Sequence, residues 1–168
     1  MKKKQFMVCL CTLILGLFSV SCDDNADDPK YRSLPPEFED MTFKMLKDNS
    51  TVITAGEKVV ATCVQSKPGR LLNLTRYNWT TNPNPEGLTH KFKAELKAGY
   101  DNEPQHPTDT IVFPNPGIYN LTFNARYFTS GNYEIVSKIV SIDHGKITYK
   151  TPSFQFYDVV IEKKIVVK

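Results

Sequence analysis

The chain has 168 residues, 40% of them hydrophobic and 23% charged, which is enough apolar material for one packed domain. It contains 21 Lys and Arg against 18 Asp and Glu, but three of the lysines precede an apolar leader. Without that leader the formal net charge is zero. The chain therefore has no net positive charge that would indicate nucleic acid or an anionic membrane surface as its partner.

The first 21 residues have the order of a secretory signal peptide. Lys2, Lys3 and Lys4 come before an apolar run from Phe6 to Val20, and the small residue Ser21 follows it. The run is shorter than the about 20 apolar residues of a membrane span. We therefore predict a signal peptide over residues 1–21 that is removed on export.

Cys22 directly follows the small residue, so the junction resembles that of bacterial lipoproteins. The resemblance implies that Cys22 is lipidated, with acyl chains of the palmitate type, and that the protein is anchored in the outer membrane. The alternative is a plain secretory signal cleaved near Ser21, which would leave Cys22 as a free thiol.

Residues 22–36 are polar, acidic at their start and closed by two prolines, which predicts a flexible tether. Acidic residues just after a lipidated cysteine resemble the export signal of Bacteroidetes-type lipoproteins. That resemblance implies display on the cell exterior. The alternative is that Asp23 and Asp24 only solvate a linker.

Residues 37–168 show period-two alternation and almost no helical periodicity. Gly, Pro and Asn pairs separate the alternating runs, as in Asn115–Gly117. The pattern predicts an all-β domain, an antiparallel sandwich of about seven to nine strands. Cys63 alternates with Val59 and Ala61, so we expect a buried structural thiol rather than a nucleophile.

The stretch from Thr110 to Phe123 resembles the PKD branch of immunoglobulin-like domains, with a Pro-Gly turn followed by a Tyr-x-apolar-x-apolar strand. The resemblance implies the fold alone. Tyr119 would then form a tyrosine corner, with Leu121 at the position of the second disulfide cysteine, opposite Cys63. Trp79 would be the aromatic residue of the strand that follows Cys63.

No catalytic or metal-ligating pattern is present in the sequence. His90, His106 and His144 lie far apart and none has metal-ligand spacing to another ligand residue. We therefore expect no enzyme, no metal site and no cofactor. The loop from Asp101 to Glu103 carries oxygen ligands of the kind that Ca²⁺ prefers, but without the pattern of a calcium loop, and its calcium binding stays open.

Aromatic side chains give the one positive indication of a binding site. Phe128, Tyr133, Tyr149 and Tyr157 lie at predicted strand ends or opposite the predicted core residues. Exposed rings of this kind stack on sugars or anchor a protein partner. The alternative is that they cover the edges of the core.

Thr110 lies in an Asp-Thr-Ile triplet that matches the O-glycosylation pattern of exported Bacteroidetes-type proteins. The alternative is that Thr110 simply begins a strand.

The apolar run from Asp158 to Val167 predicts either a central strand or an edge strand open to strand addition.

Taken together, these features predict a lipid-anchored, non-enzymatic binding module at the cell surface. Its partner would be a glycan or a protein of an uptake system, and not a nucleic acid. The alternative is a structural or assembly subunit of a surface complex or fimbria, and an envelope hydrolase is a third possibility.

Overall fold

A computed structural model describes residues 28–91, 95–98, 105–153 and 155–168. These residues form strands and no α-helix, which confirms the all-β expectation. The strands are β1 (Arg32–Ser33), β2 (Glu37–Met45), β3 (Lys58–Lys67), β4 (Leu72–Asn82), β5 (Thr89–His90), β6 (Glu95–Ala98), β7 (Thr108–Val112), β8 (Gly117–Thr129), β9 (Asn132–Tyr133), β10 (Ser137–Ile142), β11 (Gly145–Ser153) and β12 (Phe156–Val167). Three two-residue strands raise the number above the seven to nine expected.

Two antiparallel sheets face each other across one core. The six-stranded sheet has the order β10-β11-β12-β8-β4-β6, and the four-stranded sheet has the order β2-β3-β7-β5. The rings of Phe38 on β2 and Phe123 on β8 lie 6.1 Å apart, so side chains of both sheets meet in the middle. This arrangement is that of a β-sandwich.

The predicted alternation decides which side chains enter the core. Val59, Ala61 and Cys63 on β3 are fully buried, as expected from their spacing. Burial, and secondarily the nearby carboxylate of Asp40, raises the pKa of the Cys63 thiol well above its ordinary value. Cys63 is therefore a protonated core residue, which confirms that its thiol is buried.

Strand β12 lies inside the six-stranded sheet. It pairs with β8 over its whole length and with β11 on its other side. The alternative that this strand forms an open edge is therefore wrong, because the β10–β11 hairpin adds two strands beyond it. In the described part of this sheet the free edges belong to β10 and β6.

The end of the expected tether is packed against the sandwich. Ser33 on β1 is completely buried, and its hydroxyl donates to the carbonyl of Leu71 at 2.7 Å. Leu34 forms a β-bridge with Arg70. The packed part of the chain therefore begins at β1, before the Glu37 boundary expected from the prolines, because backbone hydrogen bonds bind this polar segment where side-chain hydrophobicity gave no signal.

The turn before β8 contains the predicted tyrosine corner. The hydroxyl of Tyr119 donates a hydrogen bond of 2.8 Å to the carbonyl of Asn115, four residues upstream. Its ring packs against Phe113, with 4.8 Å between the ring centroids. The corner therefore connects the loop after β7 to the start of β8.

Candidate ligand-binding face

The side chains of β4, β8 and β12 that point away from the core form a regular surface, which we call the outer face. The three strands are in register, so their outward residues stand in rows of three across the sheet. The rows are Leu74–Phe128–Phe156, Arg76–Arg126–Asp158 and Asn78–Asn124–Val160.

The first row is apolar and partly aromatic. The rings of Phe128 and Phe156 lie 5.9 Å apart at an angle of 52°, and Leu74 is paired with Phe128 on the other side. All three side chains are half-buried, so part of each is open to solvent. Such a row offers an apolar surface at the end of the sheet nearest β1 and β9.

The second row is charged. Arg126 donates from Nε to Oδ1 of Asp158 at 2.7 Å and from Nη2 to Oδ2 at 2.8 Å, which is a bidentate ion pair. This hydrogen-bonded carboxylate raises the pKa of Arg126. The guanidinium also lies 4.0 Å from the centroid of the Phe156 ring. The ion pair and this contact therefore hold the Arg126 guanidinium between Asp158 and the ring of Phe156.

The third row supplies neutral polar groups. Asn78 and Asn124 are directly opposite each other on β4 and β8. Together with Arg76, Arg126 and Asp158 they line a shallow depression on the sheet. Each amide offers both hydrogen-bond donors and an acceptor. The outer face thus combines an apolar row with groups that can bind hydroxyl or carboxylate oxygens.

Only one of the four predicted binding aromatics lies on the outer face. Phe128 is there, but Tyr149 and Tyr157 are 2% and 1% exposed, which corrects the expectation that they are accessible. Tyr157 is in phase with the core residues Val159 and Ile161, and Tyr149 is in phase with Ile147. The same alternation, correctly assigned, would have placed both rings inside.

The two buried tyrosines bind the N-terminal segment through their hydroxyl groups. Tyr157 donates to the carbonyl of Ser33 at 2.7 Å, and the hydroxyl of Tyr149 accepts from the backbone N–H of Phe38 at 2.9 Å. Burial raises the pKa of both phenols above 10.0. These contacts attach β1 and the start of β2 to the six-stranded sheet.

The Tyr157→Phe variant is expected to lose about 1 kcal/mol of unfolding free energy, because the hydrogen bond to Ser33 disappears. The raised pKa of Tyr157 also means that the folded state holds the phenol proton more tightly than the unfolded state does. The contribution of this proton to the wild-type stability is therefore complete below pH 10.0 and is lost as the pH rises above it. Urea unfolding at neutral and alkaline pH measures both effects.

The matched control is Tyr31→Phe, since Tyr31 is 45% exposed. That variant is expected to unfold at the same urea concentration as wild type. It should also lose as much stability as wild type when the pH is raised. Equal effects of the two substitutions would contradict the role given to the Tyr157 hydroxyl.

Tyr133 lies on β9, away from the outer-face rows. It pairs with Ser33 of β1 in a small parallel sheet and packs partly against the core.

Phe156 and Arg76 were not singled out from the sequence. The signal for Phe156 was its phase with Asp158 and Val160, but its pairing with Phe128 depends on register.

The three histidines have separate partners. His90 forms a hydrogen bond of 2.6 Å through Nδ1 with Asp109 and one of 3.0 Å through Nε2 with Thr81. The Nδ1 of His106 accepts from the backbone of Gln65, and His144 is exposed in the β10–β11 turn. In the ranges that the structure covers, no three His, Cys, Asp or Glu residues form a metal-binding group.

Thr110 is half-buried in β7, opposite Val60, and faces away from the core beside Lys58 and Thr89. Its O-glycosylation stays a prediction. Cys22 and the Asp101–Glu103 loop lie outside the described residues.

Comparison of the chain with family models, with curated proteins and with solved structures found no match. Among the described residues there is no helix with the length and apolar character needed to cross a membrane.

Proposed function

We propose that this chain is a lipid-anchored, non-enzymatic module of the cell envelope whose immunoglobulin-like sandwich binds a glycan on its outer face. Three observations support an immunoglobulin-like fold. The order β2-β3-β7-β5 corresponds to the four-stranded sheet of that fold, and β4-β8-β12 corresponds to its three-stranded sheet, with β6 and the β10–β11 hairpin added at the edges. The Tyr119 corner is present, and Ile53 makes a parallel bridge to Val167 of the last strand.

The observation that carries glycan binding is the apolar row of Phe128 and Phe156 beside side chains with fixed hydrogen-bonding groups. Sugar rings present flat C–H faces and a rim of hydroxyls. The aromatic row would contact the C–H faces, and the Asn and Arg rows would bind the hydroxyls. Because these residues stand on paired strands rather than loops, little conformational entropy is lost on binding.

The Phe128→Ala variant tests this assignment. Affinity gel electrophoresis through gels containing neutral or acidic polysaccharides measures retention of the purified chain. Wild type is expected to be retarded by at least one polymer, and Phe128→Ala is expected to bind that polymer about ten-fold more weakly, since the stacking contact is lost.

Ile139→Ala provides the matched control. Ile139 is 69% exposed on the same side of the sheet, on β10, so its loss removes a comparable apolar group away from the proposed site. The electrophoretic mobility of the Ile139→Ala variant should equal that of wild type. Absence of retardation for wild type on every polymer, or equal loss in both variants, would contradict glycan binding.

A second candidate role, assembly into a surface complex, is favoured by strand β10. This strand pairs only with β11 among the described strands, and Ile139 and Val140 on it are exposed. A free edge of this kind can accept a strand from a partner protein. Stoichiometric co-purification of a partner from detergent extracts would favour this role.

A further inference from the structure

The charged row of the outer face has an imbalance that its internal ion pair does not remove. Arg76 on β4 and Arg126 on β8 are direct cross-strand partners. Like charges in that position destabilise a sheet. Asp158 neutralises Arg126 through the bidentate pair, but among the residues whose side chains the structure describes, which leave out β6, no carboxylate forms an ion pair with Arg76. An exposed guanidinium is therefore left beside the depression.

The next strand increases the positive charge of this row. Lys150 on β11 is the cross-strand partner of Asp158 and is exposed. Across four neighbouring strands the row thus carries three cations and one carboxylate. The chain without its leader has no net charge, so this excess is local to the outer face. Proteins keep locally unfavourable arrangements at functional sites. Neighbouring like charges are therefore the arrangement expected of an anion-binding site.

From this charge pattern we propose that the ligand is an acidic polysaccharide whose uronate carboxylate binds Arg76 while its sugar ring contacts the Phe128–Phe156 row. The proposal rests on the glycan-binding function given above and specifies its substrate class. A planar guanidinium binds a carboxylate through two parallel hydrogen bonds, which a neutral sugar cannot provide. The carboxylate would also remove the repulsion between Arg76 and Arg126.

The test compares two polymers with one backbone, polygalacturonate and its fully methyl-esterified form. Wild type is expected to bind the acid form at least ten-fold more tightly than the ester. Its affinity for the acid form should fall as salt is added. Arg76→Gln is expected to lose about ten-fold in affinity for the acid form and little for the ester. Arg76→Lys should keep part of the affinity, because it retains the charge without the planar fork.

Lys164→Gln is the control for overall charge. Lys164 is an exposed cation on β12, in the row of Asn120 and away from the depression. Affinity equal to wild type in this variant supports a specific carboxylate site. Equal losses in Arg76→Gln and Lys164→Gln would overturn the proposal, since they would indicate a general electrostatic effect.

Other outcomes separate this proposal from the glycan-binding function. Equal wild-type affinity for the acid and the ester, or retention by neutral polysaccharides alone, overturns acidic-sugar recognition and leaves glycan binding standing. Failure to bind any polysaccharide overturns both. Arg76-dependent binding to phosphatidylglycerol vesicles without polymer binding also overturns both, and would assign the face to the membrane surface.

Discussion

Replacement of Phe123 by alanine is expected to lower the free energy of unfolding by about 4 kcal/mol, because it opens a cavity at the centre of the core. The ring is completely buried. Its centroid lies 4.8 Å from that of Trp79, 5.4 Å from Tyr77 and 6.1 Å from Phe38, so it joins both sheets. Equilibrium urea unfolding followed by Trp79 fluorescence measures the loss.

Two variants make this result specific. Phe123→Leu retains most of the buried volume and is expected to lose much less stability, about 1 kcal/mol. Phe128→Ala, five positions along the same strand on the half-buried outer face, should also lose about 1 kcal/mol. A Phe123→Ala loss no larger than that of Phe128→Ala would mean that the core is not centred where the structure places it.

The second large effect is expected at His90. The side chain of Asp109 is fully buried, and His90 is the imidazole that binds it at 2.6 Å. His90 also reaches Thr81 on β4, so this polar contact joins the four-stranded sheet to the six-stranded sheet. His90→Leu removes this hydrogen-bond partner of a fully buried side chain, which costs about 3 kcal/mol. Urea unfolding at neutral pH is the measurement.

A double-mutant cycle distinguishes lost interaction from simple loss of packing. If the contact is stabilising, His90→Leu combined with Asp109→Leu should lose clearly less than the sum of the two single variants. His144→Ala is the control histidine, because its side chain is 72% exposed and should change the stability by less than about 0.5 kcal/mol. Additive losses across the cycle would argue against the pair.

The candidate site was only partly predictable. Phe128 can be placed because its neighbours alternate clearly, but the expectation that Tyr149 and Tyr157 are accessible is wrong. Arg76, Arg126 and Asp158 come from three strands far apart in sequence. Their row depends on the β4–β8 and β8–β12 registers, which no local pattern specifies.

The sequence by itself determined the properties that depend on neighbouring residues. Period-two alternation specified the strands and the buried Cys63, and the Pro-Gly turn before Tyr119 specified the corner. Both are local because a side chain's face and a turn's backbone depend on a few adjacent positions.

Only the tertiary structure decided which strands are neighbours. It placed β12 in the interior of its sheet, and it bound Ser33 to Tyr157 across 124 positions of the chain. It also brought the cations of the outer face into one row. Contacts between residues so distant depend on the packing of the whole chain, and the outer face exists only once that packing has set the register.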